Sequence, residues 1–211
     1  MKHKAFTEIV AKSCRVPQKT VALFARNLKE AGLLTSGARG VNAPEMTVQD
    51  LTRMVISLCA TDRPSEATGL TTRYCIAECP EDLTIEVQGK EVKILAGENL
   101  EGVLSGVLLA PTINLALLHP ELTINWNTRT ATLRLNGQAI TFKAIDLSTD
   151  DSEGRGIITT RGVGGTDFLK MALPFYLEQM DGTTWESMVS EGRAQDAASQ
   201  HIFGLRGNND E

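Results

Sequence analysis

The side chains whose types and spacing could recognise another molecule stand between residues 15 and 39. Gln18, Lys19 and Thr20 follow Pro17 directly, at the start of a helical pattern. They supply an amide that both donates and accepts, a mobile cation and a hydroxyl, a set suited to reading base edges in a major groove. Ala22 leaves room for close approach, and Arg26 lies further along the polar face. Arg15 stands at the break before this helix, and Arg39 at the tip of the turn Ser36-Gly37-Ala38-Arg39-Gly40. Arg15, Gln18, Lys19, Thr20, Arg26 and Arg39 are therefore the candidate contacts to double-stranded DNA, with cations for phosphates and polar groups for bases.

Charge supports that placement. Residues 1–44 hold eight basic and two acidic side chains, a net of +6, on a chain whose total is -5. The remaining residues carry 13 basic and 24 acidic side chains, a net of -11. A basic block on an acidic chain points to a local polyanion contact that the overall charge hides. Aromatic residues make up only 5% of the chain, too few for stacking platforms of the kind that bind single strands.

Other chemistry has weaker support. His3, His119 and His201 are scattered, and no Ser-His-Asp, Cys-His or H-E-x-x-H arrangement is present. Cys75 and Cys79 have neither zinc-knuckle nor thioredoxin spacing, while Cys14 and Cys59 fall in helical patterns and read as small buried apolar groups. Asp146, Asp150, Asp151 and Glu153 read as a solvated acidic loop, and Gly162-Val163-Gly164-Gly165-Thr166 as a flexible turn. That turn lacks the Lys-Ser/Thr of a phosphate loop. No enzyme activity, metal or cofactor is expected. No apolar run approaches the ~18 residues of a membrane span, and no secretory leader is evident, so a cytoplasmic protein with reduced thiols is expected.

The elements that must position the candidate contacts can be read from apolar spacing. Phe6, Ile9, Val10 and Cys14 predict a short helix over 6–14. Pro17 suits the first turn of a second helix, with Val21, Phe24 and Leu28 as its inner stripe and Gly32 as its stop. Leu33-Leu34-Thr35 and Val41-Asn42-Ala43 read as short strands flanking the glycine turn. Thr47, with Asp50 three residues on, caps a third amphipathic helix carrying Val48, Leu51, Val55 and Leu58. Residues 61–72 read as a linker or domain boundary, helical in part if joined to Arg73–Glu78. Beyond it, alternation predicts a hairpin over 83–94 and three antiparallel strands over 121–146, turning at Asn136-Gly137. Asn99 caps a helix ended by Pro111, a strand is expected near 156–160, and Thr166 opens a helix that Pro174 should kink or interrupt.

From Val16 to Leu34 the chain resembles the winged helix-turn-helix of bacterial and phage transcription regulators of the MarR, IclR and GntR types. The resemblance covers residues 6–45 and rests on Pro17-Gln18-Lys19-Thr20-Val21, the basic Arg26 and the exit Leu28-Lys29-Glu30-Ala31-Gly32-Leu33. It implies base or phosphate contacts from Gln18, Lys19, Thr20 and Arg26, and a wing contact from Arg39. Arg15 replaces the turn glycine common in that motif, and the helix that usually precedes it is not seen, so the helix over 47–60 is expected to close the core.

The expected protein is α+β. It has an N-terminal winged helix-turn-helix over 1–62, a mixed antiparallel-sheet-and-helix domain over 73–182 for assembly or a protein partner, and a flexible tail over 183–211. The expected function is sequence-specific binding of double-stranded DNA by a dimeric transcriptional regulator. The alternatives are a phage-type DNA-packaging component resembling a small terminase subunit, with higher homo-oligomers, and a protein-binding inhibitor with an autoregulatory winged helix.

Overall fold

The computed structural model of the chain describes residues 1–37, 43–87, 90–109, 118–144 and 160–180. Among them are six helices and six strands, so the protein is α+β with its helices mostly in the N-terminal half. Helices α1 (His3–Cys14) and α2 (Gln18–Glu30) pack on each other and are joined through three residues. Arg15 takes the left-handed conformation there, φ 55°, and the Val16 N–H reaches back to the Ala11 carbonyl at 3.1 Å. Pro17 stands one place earlier than expected, at the N-cap of α2 rather than inside its first turn. At the other end Gly32 is left-handed, and Leu33 N–H bonds the Leu28 carbonyl at 2.8 Å, closing the last turn.

The expected wing is not formed as a strand on its described side. Leu33, Leu34 and Thr35 are irregular, and two of their polar backbone groups are taken by side chains of the next helix. Thr35 N–H donates to Asp50 Oδ1 at 2.6 Å, and the Leu33 carbonyl accepts from Arg53 Nη1 at 2.9 Å. A ladder partner would have to compete with both bonds. The turn tip with Arg39, and Val41 and Asn42 of the return strand, lie outside the described residues.

Helix α3 (Val48–Ala60) is the hub. Thr47 and Asp50 form the expected capping box, and eleven of the thirteen residues are buried. The apolar set is wider than the one-sided stripe read from spacing, because Met54, Ile56 and Cys59 also meet neighbours. The helix touches α2, α4 (Ala67–Cys75), α5 (Leu100–Leu109), α6 (Gly165–Met180) and strands β3 (Glu121–Asn125) and β6 (Thr160–Val163). A helix with neighbours on most sides carries apolar residues around most of its circumference.

The stretch 61–72 is part of that packing. After a short turn of 3-10 helix at Pro64–Glu66, α4 buries Ala67, Thr71, Tyr74 and Cys75 against its neighbours. The buried apolar cluster is continuous from Met1 to Phe175. Strands β1 (Leu83–Val87) and β2 (Lys90–Ile94) pair as the expected hairpin. Strands β4 (Thr130–Leu135) and β5 (Gln138–Lys143) complete a separate antiparallel sheet in the order β5-β4-β3-β6. Asn136 and Gly137 have φ 49° and 80°, the backbone that a tight two-residue hairpin requires. Leu122, Ile124, Ala131, Leu133, Ile140 and Phe142 alternate inward from three adjacent strands.

Strand β6 falls later than expected, and Gly162 belongs to it rather than to a flexible turn. A side chain at Gly162 would stand 2.6 Å from the Leu122 carbonyl of the paired strand. Helix α6 runs on through Pro174 and packs on α1, α3 and α5, with Cys14 Sγ 3.8 Å from Met171 Sδ. No helix among the described residues is long and apolar enough to cross a membrane. The acidic loop at 147–154 and everything beyond 180 lie outside the described residues.

Candidate nucleic-acid interface

The inner stripe of α2, Val21, Phe24, Ala25 and Leu28, is fully buried. This fixes which residues face outward: Gln18, Lys19, Ala22, Leu23, Arg26 and Glu30 are exposed, and Thr20 is half-buried. Gln18 donates to Glu8 Oε1 of α1 at 3.5 Å. Arg26 Nε bonds Glu30 Oε1 at 2.7 Å, one helical turn on, so part of its charge is already answered. Leu23 is 52% exposed in the middle of this face. It was not among the expected contacts, although an apolar residue off the Val21-Phe24-Leu28 stripe is a signal the sequence carries.

The basic block divides by commitment. Lys2 reaches the Ala43 carbonyl at 2.5 Å and Glu45 at 3.2 Å. Lys29 is half-buried, and that burial pulls its pKa down against the pull of Asp50. Lys4, Lys12, Arg15 and Lys19 are exposed, and their side chains have no hydrogen bond or ion pair with any described residue. Three of those four cluster in sequence around the α1–α2 junction. The structure thus brings Arg15, Gln18, Lys19 and Arg26 to one helix pair and leaves Arg39 outside the described residues.

A second basic feature was not anticipated. A cleft of about 380 Å³ opens between the 61–66 turn, α4 and the β3–β4 loop. Arg63, Arg73 and Arg129 line it with Tyr74 and Trp126, while Asp62 and Glu66 are its acids. Trp126 is held by its indole N–H, which donates to the Cys59 carbonyl at 2.8 Å, and the Arg161 guanidinium lies over its ring, 5.3 Å from the centroid. Arg63 meets Glu66 at 3.0 Å, and Arg161 approaches Asp62 at 3.9 Å; both pairs are exposed and worth little in stability. Arg73 makes no hydrogen bond or ion pair with any described residue. Burial pushes the Tyr74 phenol up, against the pull of Arg73 and Arg129.

The chain matches no family model, no curated protein and no solved structure.

Arg129 is the most telling residue of the cleft. It closes the four-residue β3–β4 loop in the left-handed region, φ 54°. That conformation costs roughly 1–2 kcal/mol for an L-residue with a Cβ, and glycine or asparagine is the usual occupant. Asn125 supports the loop by accepting from the N–H groups of Asn127 and Thr128 at 3.0 and 3.1 Å. The cleft residues are drawn from two distant stretches of chain, 60–74 and 126–129, which is why no local pattern announced them. The cysteines offer no competing chemistry. Burial raises the Cys14 and Cys75 thiols to about 12 and pushes Cys59 up as well, so they stay protonated and unreactive. Among the described residues, no three His, Cys, Asp or Glu side chains come together to hold a metal ion.

Proposed function

We propose that the chain binds double-stranded DNA through α1, the Arg15 turn and α2, as a dimeric helix-turn-helix regulator of transcription. The observation that carries this reading is the set of exposed cations with no partner among the described residues, Lys4, Lys12, Arg15 and Lys19, beside the outward face of a helix whose inner face is locked in the core. A single helix fits the major groove, and a helix that is already rigid is not ordered further on binding. Lys19 and Gln18 at its start reach base edges in this arrangement, Leu23 meets a thymine methyl, and Lys12 and Arg15 hold phosphates. Arg39 extends the same surface as a wing contact, and Thr20, half-buried, supports the helix start.

Four or five phosphate contacts give modest affinity, and two copies on one site multiply it by joining two weak half-site contacts. The -11 charge of the rest of the chain opposes indiscriminate attachment to DNA and suits assembly or a protein partner.

Selection from a random-sequence duplex library at low salt tests the reading. Enriched sites should carry two related half-sites. The affinity of one copy should fall with salt at a logarithmic slope of roughly -4, the counterions released by four or five contacts. Absence of duplex binding at low salt would falsify it.

A further inference from the structure

We propose that the chain associates with copies of itself head to tail, the basic α1–α2 face of one copy seated on an acidic ribbon of the next, formed by residues 76–82 and 95–99. The assignment stands on the two surfaces and does not depend on DNA binding.

The ribbon is one built unit, although its halves are separated in sequence by the β1–β2 hairpin. Cys79 N–H donates to the Glu98 carbonyl at 2.9 Å, Gly97 N–H to the Cys79 carbonyl at 2.9 Å, and Leu100 N–H to the Ala77 carbonyl at 2.8 Å. At the other end the Asp82 carboxylate accepts from the Ala96 N–H at 2.7 Å. Glu78, Glu81, Asp82 and Glu98 are all exposed, and the two stretches hold no basic residue. The carboxylates of Glu78, Glu81 and Glu98 have no hydrogen bond or ion pair with any described residue. Two cations stand at the margin. Lys93 meets Glu91 at 3.8 Å, and the backbone N–H of Lys143 reaches the Glu78 carbonyl at 3.4 Å.

Charge selects the occupant. Lys4, Lys12, Arg15 and Lys19 on the α1–α2 face are exposed and unanswered among the described residues, so the two surfaces do not satisfy each other within one chain. Each surface also carries open apolar side chains. Leu23 is 52% exposed on the basic face, while Ile76 at one end of the ribbon is 40% exposed and Leu95 at the other 52%. Opposite potentials orient the encounter, and covering the apolar side chains adds affinity. Because the two surfaces differ, the contact is heterologous: every added copy presents a fresh face or ribbon until a ring closes. A second copy on α1–α2 excludes a duplex there, so assembly shields that face; this consequence alone rests on the DNA reading.

Sedimentation velocity of the full-length protein, without DNA, tests the proposal. The mass should rise with concentration at low salt and return to the monomer as salt shortens the reach of charge. Lys12→Glu with Lys19→Glu on the face, or Glu81→Lys with Glu98→Lys on the ribbon, should each weaken association at least about tenfold, since like charges then meet. Mixed in equal amounts, the two double variants should associate again, because one keeps its ribbon and the other its face. Lys19→Glu and Glu81→Lys alone carry the test if a double variant fails to fold, and an acid at position 19 suits the start of α2. The proposal is overturned by a monomer at every salt and concentration, by unchanged association in the folded variants, or by variants that stay apart when mixed. A monomer in which a zero-length carbodiimide joins Lys19 to a carboxylate beyond residue 180 overturns it in favour of the chain's own tail.

Discussion

The α1–α2 surface and the α4 cleft are both basic, and in both an arginine occupies a left-handed backbone position, Arg15 in one and Arg129 in the other. They differ in almost everything else. The helix pair presents cations outward along an exposed face, with acids only at its margins, Glu8 and Glu30. The cleft holds Arg73 and Arg129 half-buried while Arg63 stays exposed, mixes its cations with Asp62 and Glu66, and adds two aromatic rings. An outward row of cations suits a regular lattice of phosphates, where each contact is weak and screened by salt. A cluster mixed with acids answers part of its own charge, as Arg63 does with Glu66. The count of basic residues does not separate these cases; their burial and the acids among them do. The two regions are also mechanically joined, since Asn27 of α2 donates to the Pro64 carbonyl of the cleft wall at 2.6 Å.

The largest effect that can break this comparison is removal of one region. A fragment beginning at Arg73 keeps the sheet, α5 and α6 but loses α3. Leu51, Met54, Val55, Ile56 and Leu58 all leave with it. Burial of each such side chain contributes ~1.5–3 kcal/mol, and the loss of five is comparable to the ~5–15 kcal/mol that holds a whole domain. The fragment should show no cooperative thermal unfolding, and circular dichroism against temperature checks it. A sharp transition would mean that the sheet region stands alone, as the polar composition of 61–72 suggests.

That contrast marks where sequence was informative and where it was not. Signals confined to a few neighbours were legible: the Thr47–Asp50 cap, the Gly32 stop, the inner stripe of α2 and the Asn136-Gly137 turn. Features decided by distant partners were not. Leu33-Leu34-Thr35 has the apolar content of a strand, yet Asp50 and Arg53 occupy its backbone groups. Residues 61–72 look polar enough for a hinge, yet Ala67 and Thr71 face the core. Of the candidate site, the outward set on α2 was legible because one amphipathic helix defines both of its faces. The cleft was not, because its lining comes from two distant stretches of chain, 60–74 and 126–129.

A smaller effect sharpens the division of labour. Lys19→Ala should weaken duplex binding by ~1–3 kcal/mol and relax specificity if it reads a base, or reduce the salt slope by about one if it holds a phosphate. Arg26→Ala should cost less, because Glu30 already engages that guanidinium. Both lie off the buried stripe, so the unfolding temperature should hold. Arg73→Ala should leave duplex affinity unchanged. Fluorescence anisotropy on a labelled duplex compares all three, and a loss for Arg73→Ala equal to that for Lys19→Ala would merge the two surfaces into one.

The smallest expected effect bears on why arginine stands at both left-handed positions. Replacing Arg15 or Arg129 with glycine relieves a backbone cost of ~1–2 kcal/mol but gives back ~0.4–1 kcal/mol through the freer unfolded chain. The net gain should lie between about 0 and 1.6 kcal/mol, at ~2–4 °C of unfolding temperature per kcal/mol for a chain of this size. Arg15→Gly should then also lose duplex affinity, while Arg129→Gly should leave it unchanged. The α1–α2 turn would thus become more stable and less functional, the pattern of a side chain held against local backbone preference. If stability falls instead in either variant, the side chain packs or pairs in a way that outweighs the backbone cost, and the arginine there is explained by structure alone.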